Sequence, residues 1–354
     1  MGAATGVAAA TTIPEADVGR LSVRCPVLVG GRWHSVAMTT GTDHERDVLR
    51  ETYGSLRWLL VLLPAVLFTV SVLTALTSRE LETSISAYYG GPVRDVFVGV
   101  LVAVAACLVA YQGSTTFEDY NLNGAGFYAA FVALVPAGLD GILADLRRSA
   151  LLTPDGVTPA EYVWSLRFGL TSVVVLSAML LTRELRRSHR VRTLAREDRT
   201  TAAFIVLTSG TLVAFLTLAM WQLWVPPVDE VRLDGLALTL PGLGAVGLAI
   251  HDLAAIFLIS ALAVAVWSHA WPHRATRTGS EAGPGYDELV RRRGYQLIFF
   301  LMLAGPLVAA AVAQAFAPGH LVIFLEWWEI GLFCVFWVLE TRRLSAPPAG
   351  SPAR

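Results

Sequence analysis

The chain has 354 residues, 55% of them hydrophobic and 16% charged, with a formal net charge of −1 and a mean hydropathy of +0.57. Soluble domains hold about 45–50% apolar and about 25% charged residues, so this composition excludes a water-soluble enzyme, a disordered chain and a nucleic-acid binder. All 27 basic residues are arginine, which fits a GC-rich bacterial genome.

Residues 1–52 mix Gly, Ala and Thr with scattered arginines and lack the basic start and apolar core of a signal peptide. They read as a mostly disordered cytoplasmic tail, with a short turn at Gly30-Gly31-Arg32-Trp33 as its one local signal. Cys25, Cys107 and Cys334 form no CxxC pair, so neither a disulfide framework nor a thiolate metal site is expected.

Residues 53–343 read as an all-α polytopic membrane bundle, and 344–354 as a disordered C-terminal tail. A bilayer core of about 30 Å takes roughly 20 apolar residues per helix. Eight runs meet that length, at 56–77, 93–112, 124–145, 161–182, 201–224, 243–268, 294–316 and 321–341. They are continuously apolar, whereas barrel strands alternate over about 10 residues. Pro64, Pro136 and Pro306 fall inside spans and predict kinks. Thr158-Pro159-Ala160-Glu161 has the form of a capping box ahead of the fourth span. Ala125, Ala129, Ala133, Ala137 and Gly141 recur at every fourth position of the third span, a smooth stripe for close helix approach. In the sixth span Gly244, Gly247 and Ala254 predict the same around His251, which then lies about 12 Å below the outer end.

With both termini cytoplasmic, 21 arginines fall on the inner side and five on the outer, as the positive-inside rule requires. That predicts a multi-pass protein of a bacterial plasma membrane. In this orientation the hydroxyl-bearing and ionisable residues within or beside the spans gather toward the outer leaflet, and no such collection is expected in the inner half. They are Ser84, Ser86, Tyr88 and Tyr89 after the first span, Arg94 and Asp95 opening the second, and Asp140 at the end of the third. His251, Glu326 and Glu329 complete the set, the last two sharing a helix face at i and i+3. Ionisable groups at membrane depth are costly and point to function, so these ten residues are expected to line an outward-facing cavity. Arg167 reads as a residue snorkelling to headgroups.

The segment Ser84-Ile85-Ser86-Ala87-Tyr88-Tyr89 followed by Arg94-Asp95-Val96-Phe97-Val98-Gly99 resembles the SxSxYY…RDVFVG signature of a bacterial multi-pass membrane protein family that has no assigned activity. The resemblance extends to a later histidine-bearing helix, here His251, and a last helix carrying Glu329, Phe333 and Trp337. It implies a six-span core to which the fourth and fifth spans are added. A more distant likeness is to alkaline-ceramidase and adiponectin-receptor-like membrane hydrolases, whose zinc is held by histidines. This chain departs from them in lacking a His-x-x-x-His pair on a late helix.

The expectation drawn from these residues is binding or transport of a small polar solute or lipid headgroup, without a cofactor, with membrane lipid as surroundings and no nucleic-acid partner. The alternative is an intramembrane lipid hydrolase, for which His251, His320, Asp140 and Glu326 are the ligand types a metal would need. A regulatory protein whose loop at 183–199 meets anionic lipid is a third reading. No P-loop, dinucleotide fingerprint or nucleophile elbow is present in the sequence.

Overall fold

The computed structural model describes residues 24–29, 32–37, 41–88, 92–113, 116–152, 156–187, 199–240, 244–271 and 286–345. They fall into two units, 1–54 and 55–354, each described by itself. In the first, strands β1 (Arg24–Val29) and β2 (Arg32–Ala37) pair antiparallel in an unbroken register from Arg24 opposite Ala37 to Val29 opposite Arg32. This part of the expected tail is therefore a hairpin. Of the expected turn, Arg32 and Trp33 are strand residues, and Gly30 and Gly31, like residues 1–23, lie outside the described residues.

Nine helices of eight or more residues follow among the described residues: α1 (Gly41–Ser78), α2 (Pro92–Ala110), α3 (Thr116–Leu134), α4 (Leu139–Leu152), α5 (Pro159–Arg187), α6 (Arg199–Trp224), α7 (Ile250–Ala270), α8 (Tyr286–Phe316) and α9 (Leu321–Ser345). Eight stretches of them are long and apolar enough to cross a membrane. This is an all-α multi-pass membrane protein, and its spans coincide with the apolar runs because a chain in lipid must bond its own backbone, which a helix does locally. Pro64 and Pro306 sit inside α1 and α8 as expected.

Two boundaries depart from expectation. Pro136 does not kink the third span but ends it: α3 stops at Leu134, and after Gly138 at φ +70° the chain starts α4. Proline has no N–H for a continuing helix, and glycine supplies the left-handed turn at no steric cost. Of the small-residue stripe, Ala125, Ala129 and Ala133 are buried, whereas Ala137 and Gly141 lie beyond the break. Here α3 packs most extensively on α7 and α2. A Cβ on Gly126 would meet Val109 Cγ2 at 2.8 Å and the Ala105 carbonyl at 2.9 Å, so the α2–α3 approach depends on that hydrogen.

The sixth span begins at Ile250, not 243. Before it, β3 (Leu236–Leu240) pairs antiparallel with β4 (Gly244–Leu248) in a second two-stranded ladder. Gly244 and Gly247 are thus strand residues, and they do not share a helix face with His251. His251 is the second residue of α7, at its end rather than 12 Å down it. The run is apolar throughout, so hydropathy does not distinguish strand from helix there.

The helices α5 and α6 stand apart in packing: 22% and 11% of their spanning windows are buried, against 39% and 44% for α2 and α7. They are joined to each other by one well-built lock. The Arg167 side chain of α5 is buried, its Nε donating to the Leu223 carbonyl at 2.9 Å and Nη2 to the Pro226 carbonyl at 2.8 Å. Its guanidinium lies 4.9 Å from the Trp164 ring and 5.3 Å from that of Trp224. The expected snorkelling does not occur, because α6 ends in carbonyls that need donors and a cation suits that terminus.

Candidate functional site

Because the arginine distribution defines the two ends of the bundle, they are named by it. At the arginine-poor end the Thr158–Glu161 capping box forms as expected: Thr158 N donates to Glu161 Oε2 at 2.9 Å, and Glu161 N donates to Thr158 Oγ1 at 3.2 Å. Beside it, the segment after α1 folds into a tight turn at Ile85–Ala87 that is held from α9. The Ile85 N–H donates to Glu326 Oε2 at 2.6 Å, and the Ile323 N–H donates to the Thr83 carbonyl at 3.0 Å. Ser84 and Ser86 are buried with their hydroxyls 2.9 Å apart.

Ser86, Arg94 and His251 line one small pocket together with Phe97, Val132, Val135 and Pro136. Its volume is about 20 Å³, room for about one water. His251 is buried, and its Nδ1 lies 2.7 Å from the Val135 carbonyl, which α3 leaves without a helical partner where it stops at Pro136. A carbonyl partner makes Nδ1 the protonated nitrogen when the ring is neutral. Asp252 turns back to accept from the Ala249 N–H at 3.1 Å, so it caps α7. Arg94 is exposed and bonds through its side chain to Tyr162 of α5.

Not every expected residue joins this group. Tyr88 is half-buried, its hydroxyl donating to the Glu80 carbonyl at 3.5 Å, and burial raises its phenol above the ordinary value. Tyr89 lies outside the described residues. Asp95 is exposed. Asp140 is also exposed and belongs to a separate surface groove of about 360 Å³ with Arg147, Asp229, Glu230 and Arg232, in which Arg147 donates to the Asp229 carbonyl. His320 Nδ1 lies 3.2 Å from the Pro318 carbonyl in the turn before α9. Glu329 is buried against α8: both carboxyl oxygens lack a hydrogen-bond partner, and a Cβ on Gly305 would meet Oε1 at 2.6 Å. No group of three or more His, Cys, Asp or Glu positioned to hold a metal ion occurs among the described residues.

The arginine-rich end holds a second constellation, which contradicts the expectation that this half is plain. Glu118 at the start of α3 and Glu340 near the end of α9 are both fully buried. Between them lies His269 of α7, with Nε2 at 2.9 Å from Glu118 Oε1 and Nδ1 at 3.5 Å from Glu340 Oε1. The Nε2–Oε1 pair is close but does not meet hydrogen-bond geometry. Glu340 also accepts from Tyr295 of α8 at 2.6 Å and from Arg343 Nη2 at 2.8 Å. Arg57 of α1 is buried and bonds to Tyr111, just beyond α2. Gly113 closes the loop over this end, since a Cβ there would meet Glu118 Cγ at 2.9 Å. Six helices, α1–α3 and α7–α9, therefore contribute to or border one buried polar cluster. In the sequence its members look like ordinary charges at the ends of spans. The signal was the missing arginine beside Glu118 and Asp119, where an arginine-bearing loop is expected.

The fold and the two clusters define a multi-pass membrane protein with ionisable groups at both ends of a six-helix core. No family model, curated protein or solved structure matches this chain.

Proposed function

We propose that the protein binds or carries a small polar solute or lipid headgroup across a bacterial plasma membrane, with the ligand engaging the arginine-poor end. The observation that supports this reading is that Ser86, Arg94 and His251, from three separate segments, line one pocket beside a turn held by Glu326. Arg94 supplies charge for an anionic group, and the Ser84–Ser86 hydroxyls and the free ring nitrogen of His251 supply directional bonds. A pocket sized for about one water admits a solute only after the helices part, so the structure corresponds to a closed form. In the orientation set by arginine, this end faces away from the cytosol.

Purified protein is heated with phosphate, glycerol 3-phosphate, phosphocholine, phosphoethanolamine and glutamate, and compounds that raise its melting temperature are tested for flux in proteoliposomes. At least one is expected to bind, and to do so less well in Arg94→Gln and His251→Asn. The reading fails if none binds and none moves faster than in protein-free liposomes.

The same pocket supports a second reading, an intramembrane lipid hydrolase, because Ser86 and His251 are the types of a nucleophile and its base. A fluorophosphonate probe decides it: labelling at Ser86 that needs His251 favours hydrolysis, and an unlabelled serine removes it.

A further inference from the structure

The contacts of His269 hold more chemistry than a structural tie. Both of its ring nitrogens face carboxyl oxygens, Glu118 Oε1 at 2.9 Å and Glu340 Oε1 at 3.5 Å. A neutral imidazole owns one N–H, so between two carboxylates it turns a lone pair toward one of them; an imidazolium has an N–H on each side and puts its positive charge between them. Glu340 already has a phenol and a guanidinium on it, which keep it an acceptor. The side chain of Glu118 is 1% exposed and that of His269 is 7% exposed, so water does not dilute the mismatch.

We infer that Glu118, His269 and Glu340 form a proton-binding site at the arginine-rich end, in which one proton is held on the imidazole between α3 and α9. Binding adds the proton to the free lone pair of His269, and release returns it to water on that side; no other bond forms or breaks. The groups facing the ring are Glu118 from α3, Glu340 from α9 and Tyr295 from α8, with Arg343 of α9, Arg57 of α1, Tyr111 beyond α2 and Arg291 of α8 bordering them. The bound proton draws the ends of α3, α7 and α9 together, and its loss leaves a lone pair opposite a buried carboxylate. This site is separate from the solute pocket and stands whether or not that pocket binds a solute.

The test is nitrogen NMR of full-length protein labelled with ¹⁵N-histidine in lipid nanodiscs, across about pH 5 to 8, where ordinary histidines titrate. One imidazolium signal, slow to exchange with D₂O, is expected, and it should be lost in His269→Gln. In Glu118→Gln the same ring is expected to turn neutral at a pH where the wild type stays charged, because an amide can donate to a lone pair. Neutral signals from every histidine throughout the range would overturn the site, as would a His269 signal unmoved by Glu118→Gln. Should neither variant fold, the wild-type spectrum alone decides: a slowly exchanging imidazolium supports the site, and its absence removes it.

Discussion

The two ends of the six-helix core solve the problem of buried polarity in opposite ways. At the arginine-poor end, polar side chains are matched to backbone: His251 to the Val135 carbonyl, Glu326 to the Ile85 amide, Asp252 to the Ala249 amide. At the arginine-rich end, side chains are matched to one another, Glu118 to His269 to Glu340 to Tyr295 and Arg343. Backbone partners are fixed by the helices, so these three bonds at the first end depend little on one another. Side-chain partners share charge, so the second end stands or falls as a unit.

The largest expected effect follows from that dependence. Glu340→Ala leaves the half-buried Arg343 and the enclosed His269 ring without their shared partner, and should destabilise the protein by about 3–5 kcal/mol in equilibrium unfolding from mixed micelles. A loss under about 1 kcal/mol would show that the cluster is solvated. The next test is coupling. Glu118→Gln combined with His269→Gln should depart from additivity by about 0.5–3 kcal/mol, whereas His251→Phe combined with Glu326→Gln should add within about 0.5 kcal/mol. Equal coupling at both ends would erase the distinction. His251→Phe alone should cost about 1 kcal/mol, the scale of interhelical hydrogen bonds measured in membranes. Glu326→Gln should cost less, because the amide oxygen still accepts from Ile85, and the unfolding midpoint should shift little.

Glu329 belongs to neither pattern, since its carboxyl has no partner of either kind. Glu329→Met, which keeps volume and removes the unmatched group, is expected to leave stability unchanged or raise it by about 1 kcal/mol. A clear loss of stability would show that the carboxyl contributes to the fold.

The same contrast explains what the sequence revealed. Apolar length marked the spans, because lipid imposes one solution on the backbone. Pro136 announced itself but not whether it kinks or stops its helix; that depended on Gly138, three residues before Gly141, taking a positive φ. The second two-stranded ladder was hidden in an apolar run whose glycines and Pro241 were its only sign. Ser86, Arg94 and His251 were legible because each is polar in an apolar setting. Glu118, His269 and Glu340 were not, since each sits at a helix end where a charge is ordinary, and only the mutual rotation of α3, α7 and α9 brings them together.

Gly235 has a reach far beyond its size. At φ +67°, with its N–H and carbonyl clasped by the Gln222 amide at 3.0 Å each, it leaves no space for a Cβ, which would fall on the Leu248 carbonyl. Two residues earlier the Leu233 carbonyl takes the N–H of Ile250, the first residue of α7. The imidazole at 251 is thereby indexed to a single hydrogen atom sixteen positions upstream. Any side chain placed there has to prise apart the join that starts the helix, and the ring then loses its address.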